Sequence, residues 1–489
     1  MLTLADIVEG VSGRRMDALA SLRVNDVAID SRQVMRGDVF VALPGERVDG
    51  HAYVAQAFQR GALAAIVSRD KAVQLEGLPV VRLDAQSAFT AQPLNLSTRQ
   101  PLLIQVADPL AALQQLAAFW RRKMDRPGLR VVGITGSVGK TTTKELIAQV
   151  LGSRYRTLKS EGNQNNEIGL PLTLLKLRPN HERAVLEMGM YALGEIASYC
   201  EWAQPHTGVV TIIAPVHLER LGTIDNIVAA KRELPAALPP AAQGGVAILN
   251  DDDPRVRAMA GATPARVITY GLSPRADVWA EDVQSAGLDG ISFTLHAGRE
   301  RRLMKLPLIG RHSAQTALRA AAAGLAEGML LDEIVEALAT PVAQLRLVVA
   351  KGPLGSLVLD DTYNASAEST IAALNLLNEI EGEGQRIAVL GDMFELGDAE
   401  KQAHDEVGCR AAGVAQIIIG VGERSRWTCQ AAVECGARKD RVFHVLTNGE
   451  ALEVLNEIVK EKSVILVKGS RGMRMEEIVA GLGGLANDD

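Results

Sequence analysis

Apolar positions along the chain follow two periods. Short runs such as VFVAL (39–43) and AAIV (64–67) predict strands, and HAYVAQAFQRGA predicts a helix that stops at Gly61. From Asp108 the segment PLAALQQLAAFWRRKM places apolar residues at helical spacing, and Pro127 and Gly128 break it before the strand LRVVGIT. Strand and helix patterns then alternate: RVVGIT with KTTTKELIAQVL, AVLEMG with GEIASYCEWA, GVVTIIA with a helix around Ile224 to Leu234, and then VAILN. The Ala-rich helix HSAQTALRAAAAGLAEGM closes this series. After Pro341 a second series begins, with SLVLDD, RIAVLGD, QIIIGVG and SVILVKG each followed by a helical pattern. The Pro-rich ALPPAAQGG (237–245) reads as a loop.

Strands followed by helices in repeated order imply parallel sheets covered by helices on both faces. The expected fold is therefore α/β with three domains, in keeping with a chain of 489 residues. A small α/β module spans 1–107, a central domain with a mostly parallel sheet spans 108–340, and a Rossmann-like doubly wound domain spans 341–489.

Charge narrows the function classes. The chain has 52 Lys and Arg against 58 Asp and Glu, a formal charge of −6, and aromatic residues make up only 3%. Neither a basic surface for nucleic acid or anionic lipid nor a set of stacking platforms for single strands is implied. Cys200, Cys409, Cys429 and Cys435 form no CxxC pair, so reduced thiols in a cytosolic chain are expected. No basic start with an apolar core and no run of 18 apolar residues appears, so neither export nor membrane insertion is expected.

The strongest chemical signal is GITGSVGKTTTKE at 133–145, which follows an apolar strand and opens a helix. Backbone N–H groups from Gly136 to Gly139 and the positive helix end suit phosphate oxygens; Lys140 adds a point charge and Thr141 suits magnesium. The glycine spacing is one residue longer than GxxxxGK[ST], since Ile134 stands five residues before Gly139. Glu187, at the end of AVLE, is a candidate magnesium carboxylate or a solvated strand end. His217 follows the strand VVTIIA, and Lys231 lies fourteen residues on, in a helix that Thr223 can cap. Taken alone, Lys231 reads as a surface lysine and His217 as a structural residue.

In the last third, LDDTYNAS (359–366), LGDMFELG (390–397) and KGSRGM (468–473) all follow strands, so their polar loops belong on one rim. No Ser-His-Asp order and no nucleophile elbow appears, which argues against a covalent hydrolase.

These segments, together with DSRQVMRGDVFVALPGERVDGHAYVAQAFQRGA, GNQNNEIGLPLTLL, EMG, HLERLGT and AAKRE, resemble the Mur ligase family over nearly the whole chain. NQNNEIGLPLTLL and LGDMFELG point to the member that adds D-alanyl-D-alanine. The resemblance implies a cytoplasmic, monomeric, ATP-dependent amide ligase of peptidoglycan synthesis acting on UDP-N-acetylmuramoyl-tripeptide, with no nucleic-acid partner. It assigns catalytic roles to Lys140, Lys231, His217 and Arg346. It assigns ATP to Gly136, Ser137, Gly139, Lys140, Thr141, Thr142, Asn250 and Asp361, and substrate to Ser31, Arg32, Asn165, Asn166, Asn364 and Lys468. Two magnesium ions fall to Thr141, Glu187, His217 and Lys231, the last as a carbamate, which reverses the surface reading of that lysine. Diaminopimelate and lysine both stay open at the third peptide position.

Some positions depart from the family pattern. Where members commonly read GxHN and then a second Asn, this chain has GRHSAQT, with Ser313 and Thr316. A hydroxyl does not reproduce an amide's paired donor and acceptor, so the adenine contact of that first Asn lacks its amide. Leu345, Ala367 and Ile212 stand where Gly, Pro and Asn are usual. The competing readings are another Mur ligase, a folylpolyglutamate synthase, a nucleotide-binding regulatory paralogue and a phosphate-loop motor or switch. The ligase that adds diaminopimelate would carry a DNPR-like motif, which this sequence lacks.

Overall fold

The structure is a computed structural model that describes residues 1–45, 48–71, 78–83, 100–216, 218–340, 348–380 and 384–485. His217, Leu345 and Arg346 lie outside the described residues. The chain divides into two compact units: 1–133, 155–190 and 194–206 in the first, and 134–154, 191–193 and 207–489 in the second.

In the first unit, strands β1 (Val27–Ala28), β2 (Val39–Val41), β3 (Ala64–Ser68), β4 (Val80–Arg82) and β5 (Leu102–Val106) form a parallel sheet in the order β1-β2-β3-β5-β4. Phe40, Ala65, Val67 and Leu103 pack with Val54 and Ala57 of the helix Val54–Gln59. The helix Pro109–Lys123 starts where the sequence predicts. Asp108 Oδ1 accepts from the amides of Leu110 (2.8 Å) and Ala111 (3.3 Å), and Pro109 occupies the first turn, where its missing N–H costs nothing. Strand β6 (Arg130–Thr135) runs from the first unit into the second. Strands β7 (Thr157–Lys159) and β8 (Arg183–Glu187) pair in parallel within the first unit.

In the second unit, β9 (Thr207–Val210), β10 (Val246–Asn250), β11 (Arg266–Gly271) and β12 (Val278–Ser285) are parallel neighbours in that order. The sheet then changes sense. β12, β13 (Ile291–Ala297) and β14 (Glu300–Leu306) are antiparallel, an addition that the βα alternation does not anticipate. The alternating burial of β13, with Ile291, Phe293 and Leu295 inward, is the mark of a sheet covered on one face.

The last part of the second unit carries β15 (Val348–Lys351), β16 (Leu357–Asp361), β17 (Arg386–Gly391), β18 (Ile417–Val421), β19 (Val442–Val445) and β20 (Val464–Lys468). Their order is β15-β16-β20-β17-β18-β19, and all pairs except β15 with β16 are parallel. Alternate residues feed two cores. Leu359, Ala388, Leu390, Ile418 and Leu466 face one layer of helices, and Val358, Ile387, Val389, Ile419 and Val467 face the other. Burial on both faces is why these strands read as unbroken apolar runs.

Two of the four cysteines depart from the expected reduced state: Cys409 and Cys435 form a disulfide, with Cα atoms 5.1 Å apart across 26 residues of sequence. The helices Glu400–Ala412 and Ser425–Glu434 bring them together. They approach so closely that a Cβ on Gly408 would lie 2.9 Å from Ala431 Cβ. Cys200 and Cys429 are buried and take no part in a disulfide among the described residues. No helix among the described residues is long and apolar enough to cross a membrane.

Candidate active site

Strand β6 ends in the buried Thr135, and the chain turns through Gly136 at φ +142° and Gly139 at φ +83° into the helix Lys140–Gly152. A side chain at Gly136 would collide with that of Thr211, so this turn requires glycine both for its backbone angle and for its space. The loop is tied to the segment that follows β9. Ser137 N–H donates to Ile212 O (2.8 Å), and Ser137 Oγ accepts from Ala214 N–H (2.9 Å). Thr211 Oγ1 donates to Val138 O (2.7 Å), and its N–H donates to Thr135 O (3.0 Å).

That segment is braced in turn from β10 and β11. Asn250 Nδ2 (3.0 Å) and Tyr270 OH (2.7 Å) both donate to Thr211 O, and Asp253 Oδ2 accepts from Ile213 N–H (2.8 Å). Burial pushes the Tyr270 phenol up to about 12, so it stays a donor across the physiological range. Lys140 Nζ folds back on its own loop, donating to Gly136 O (2.9 Å) and Ser137 O (3.3 Å).

Lys231 lies on the helix Ile224–Ala236, which Thr223 caps through Oγ1 and Asn226 N–H (3.2 Å), as the sequence predicts. The surface reading of this lysine is corrected by the structure: it is 1% exposed, because its position on the helix faces inward with Ile227, Ala230 and Leu234. Burial holds its ammonium well below the usual lysine range, and the nearby charge of Lys140 pushes the same way. A lysine amine whose pKa is lowered by burial gives up its proton more readily than one in solvent.

In the first unit, Glu187 ends β8 at 1% exposure, and its Oε1 accepts from Asn165 Nδ2 (2.9 Å). The neighbouring Asn166 Oδ1 accepts from Gly169 N–H (2.9 Å) at the start of the helix Gly169–Leu175. Ser31 Oγ donates to Gln56 Oε1 (2.6 Å), and Arg32 makes a forked pair with Asp30, with its side chain 82% exposed. Among the described residues no three His, Cys, Asp or Glu side chains cluster as metal ligands. The donors proposed for magnesium, Thr141, Glu187 and a modified Lys231 with His217, are of a different make-up.

The three polar loops of the C-terminal sheet do share one rim. Lys468, 2% exposed, donates to Asp361 Oδ2 (2.6 Å) and Asn364 O (2.8 Å). Phe394 N–H donates to Ser470 Oγ (2.9 Å), joining LGDMFELG to KGSRGM. Asp392 Oδ1 accepts from the amides of Arg424 (3.0 Å) and Ser425 (2.7 Å). His404, fully buried, accepts Met393 N–H on Nε2 (3.3 Å). Leu218 N–H donates to Glu395 O (3.0 Å), where Glu395 takes φ +65°. Thr211, Asp253, Tyr270 and His404 carry no local signature and escape a reading of sequence alone. Only the polar residues in the strand-end motifs hint at the rim.

Three family models match the chain in order. The Mur ligase family catalytic domain covers 23–121, the Mur ligase middle domain 134–324, and the Mur ligase glutamate ligase domain 345–471. The chain belongs to the Mur ligase family. A relative from Bacillus subtilis (strain 168), named UDP-N-acetylmuramoyl-tripeptide–D-alanyl-D-alanine ligase, is 36% identical over 98% of this chain and 98% of its own. One of the same name from Escherichia coli (strain K12) is 34% identical over 98% of each chain. The crystal structure of MurF from Acinetobacter baumannii matches with a TM-score of 0.82 and 31% identity over 98% of each chain. That of MurF from Thermotoga maritima in complex with ADP matches at 0.77 and 27%, over 96% of this chain and 99% of its own.

Two outcomes follow from this geometry. Gly136→Ala should abolish ADP binding in calorimetry, whereas Gly152→Ala, whose added methyl meets open space, should bind ADP as the wild type does. Lys231→Met should be more stable than the wild type at pH 7 in carbonate-free buffer. The unfolded lysine titrates near 10.5 and the folded one well below it, so wild-type stability rises with pH through that window. The gap in urea midpoints should narrow from pH 7 to pH 10, and a constant gap would refute the depressed amine.

Proposed function

We propose that the protein is an ATP-dependent ligase that joins D-alanyl-D-alanine to the terminal carboxylate of UDP-N-acetylmuramoyl-tripeptide, giving the pentapeptide precursor of peptidoglycan. The observation that carries this reading is full-length similarity to ligases of that name, together with a braced phosphate loop.

A carboxylate resists attack by an amine, so the tripeptide carboxylate oxygen first attacks the γ-phosphorus of ATP. ADP leaves and an acyl phosphate forms. The dipeptide amine then attacks the acyl carbon, loses its proton, and inorganic phosphate departs from the tetrahedral intermediate. The loop amides and Lys140 neutralise the phosphates as charge shifts. Exclusion of water protects the acyl phosphate from hydrolysis.

Thr141, Glu187, His217 and a carbamate on Lys231 are the residues that would hold two magnesium ions, whose contribution is to offset phosphate charge. The depressed amine of Lys231 supports the carbamate, since only a neutral amine adds to carbon dioxide. Ser31 and Arg32 are assigned to the UDP end of the substrate, and Asn165, Asn166, Asn364 and Lys468 to substrate binding. Gly136, Ser137, Gly139, Thr142, Asn250 and Asp361 serve ATP, and Arg346 and His217 complete the catalytic set. We assign three domains, 1–107, 108–340 and 341–489, to a monomer working in the cytoplasm.

The direct test is phosphate release with ATP, magnesium and UDP-N-acetylmuramoyl-tripeptide, with and without D-alanyl-D-alanine. Dipeptide-dependent release and a product heavier by one dipeptide less water are expected; release without that product would refute the reading. Lys231→Ala should be inactive and partly restored by short carboxylic acids. Full activity in that variant would remove the carbamate.

A further inference from the structure

A buried cation beside the phosphate loop plays no part in the chemistry described so far. Arg319 lies on the helix Ser313–Ala326 and is 5% exposed. One terminal nitrogen, Nη2, donates to Thr316 Oγ1 at 2.6 Å. The same nitrogen stands 3.3 Å from where a Cβ on Gly139 would be, so the guanidinium lies against the last glycine of the loop. Its Nε is buried with no hydrogen-bond partner, and among the described residues no carboxylate reaches the guanidinium as an ion pair. Its other neighbour is the ring of Tyr270, 5.7 Å from the guanidinium carbon.

A guanidinium does not shed its proton, so a buried one costs folding free energy until an anion meets it. Here the Arg319 guanidinium is fixed at a loop built for phosphate. The two positions where Mur ligases commonly carry amides are already committed. Ser313 Oγ donates to Ile309 O (2.7 Å), and Thr316 Oγ1 receives Arg319. The hydroxyl at 316 thus orients a cation.

We propose that Arg319 is a nucleotide-binding residue of this chain, donating through its guanidinium to a phosphate oxygen of ATP beside Gly139. The proposal rests on the ATP-dependent reading above. A forked, charge-assisted donor at the phosphates supplies affinity that the missing amides no longer give at the base.

The test is calorimetric titration of the full-length protein with ADP and with GDP, for the wild type, Arg319→Met and Arg319→Lys. Arg319→Met should weaken ADP roughly 10- to 100-fold, as loss of a charge-assisted hydrogen bond implies. It should weaken GDP by the same factor, because the contact is to phosphate, and Arg319→Lys should recover part of the loss. The ligand-free melting temperature of Arg319→Met should equal or exceed that of the wild type, which a merely structural arginine would not allow. Affinity for UDP-N-acetylmuramoyl-tripeptide should stay unchanged. ADP affinity within twofold of wild type overturns the proposal, and so does a loss confined to ADP, which would place the contact on the base. If Arg319→Met does not fold, Arg319→Lys decides: weaker ADP with intact UDP-substrate binding supports the role, and unchanged ADP overturns it. A wild type that binds no ADP would instead sink the ATP-dependent reading itself.

Discussion

The carbonyl of Thr211 is the point on which the nucleotide site rests. A glycine-rich loop has little of its own to hold it in shape, since every residue that lets the backbone approach a phosphate also loosens it. Here the loop is held from outside. Thr211 offers its side chain to Val138 and its carbonyl to two buried donors, Asn250 and Tyr270, which arrive from successive parallel strands. The register of β10 against β11, with Asn250 beside Tyr270, delivers both donors to one oxygen. Sheet geometry is thereby converted into loop geometry, and the anion site is preorganised before nucleotide arrives.

Around that site the second unit buries two cations of different character. Lys231 can yield its proton, and burial lowers the pKa at which it does so. Arg319 cannot, so it stays charged and awaits an anion. Both side chains are buried. The difference in their intrinsic basicity sends one towards chemistry and the other towards binding.

What could be read from the sequence depended on whether the signal was local. The strand, glycine turn and helix from Arg130 to Gly152 are legible because each part is written within a few residues, and so are the C-terminal strands, whose two buried faces leave unbroken apolar runs. The cap of Thr223 was legible for the same reason. The clamp on Thr211 was not, because its partners lie 39 and 59 residues away and each is an ordinary polar side chain. Distance in sequence also hid the pairing of Cys409 with Cys435, which depends on two helices packing closely enough to meet at Gly408. Burial of Lys231 could have been seen from the helical period of Ile227, Ala230 and Leu234, but a lysine among them reads as the polar face. Asn166 accepts from the Gly169 amide, a contact that the sequence reading, which placed Asn166 with substrate through family likeness, did not anticipate.

Lys140 turns its ammonium onto the carbonyls of Gly136 and Ser137, so the loop contains its own rival for the lysine. An entering anion must displace both carbonyls before it gains the charge. The loop thus exchanges a contact with its own backbone for one with phosphate, which links anion binding to a change in how Lys140 is held.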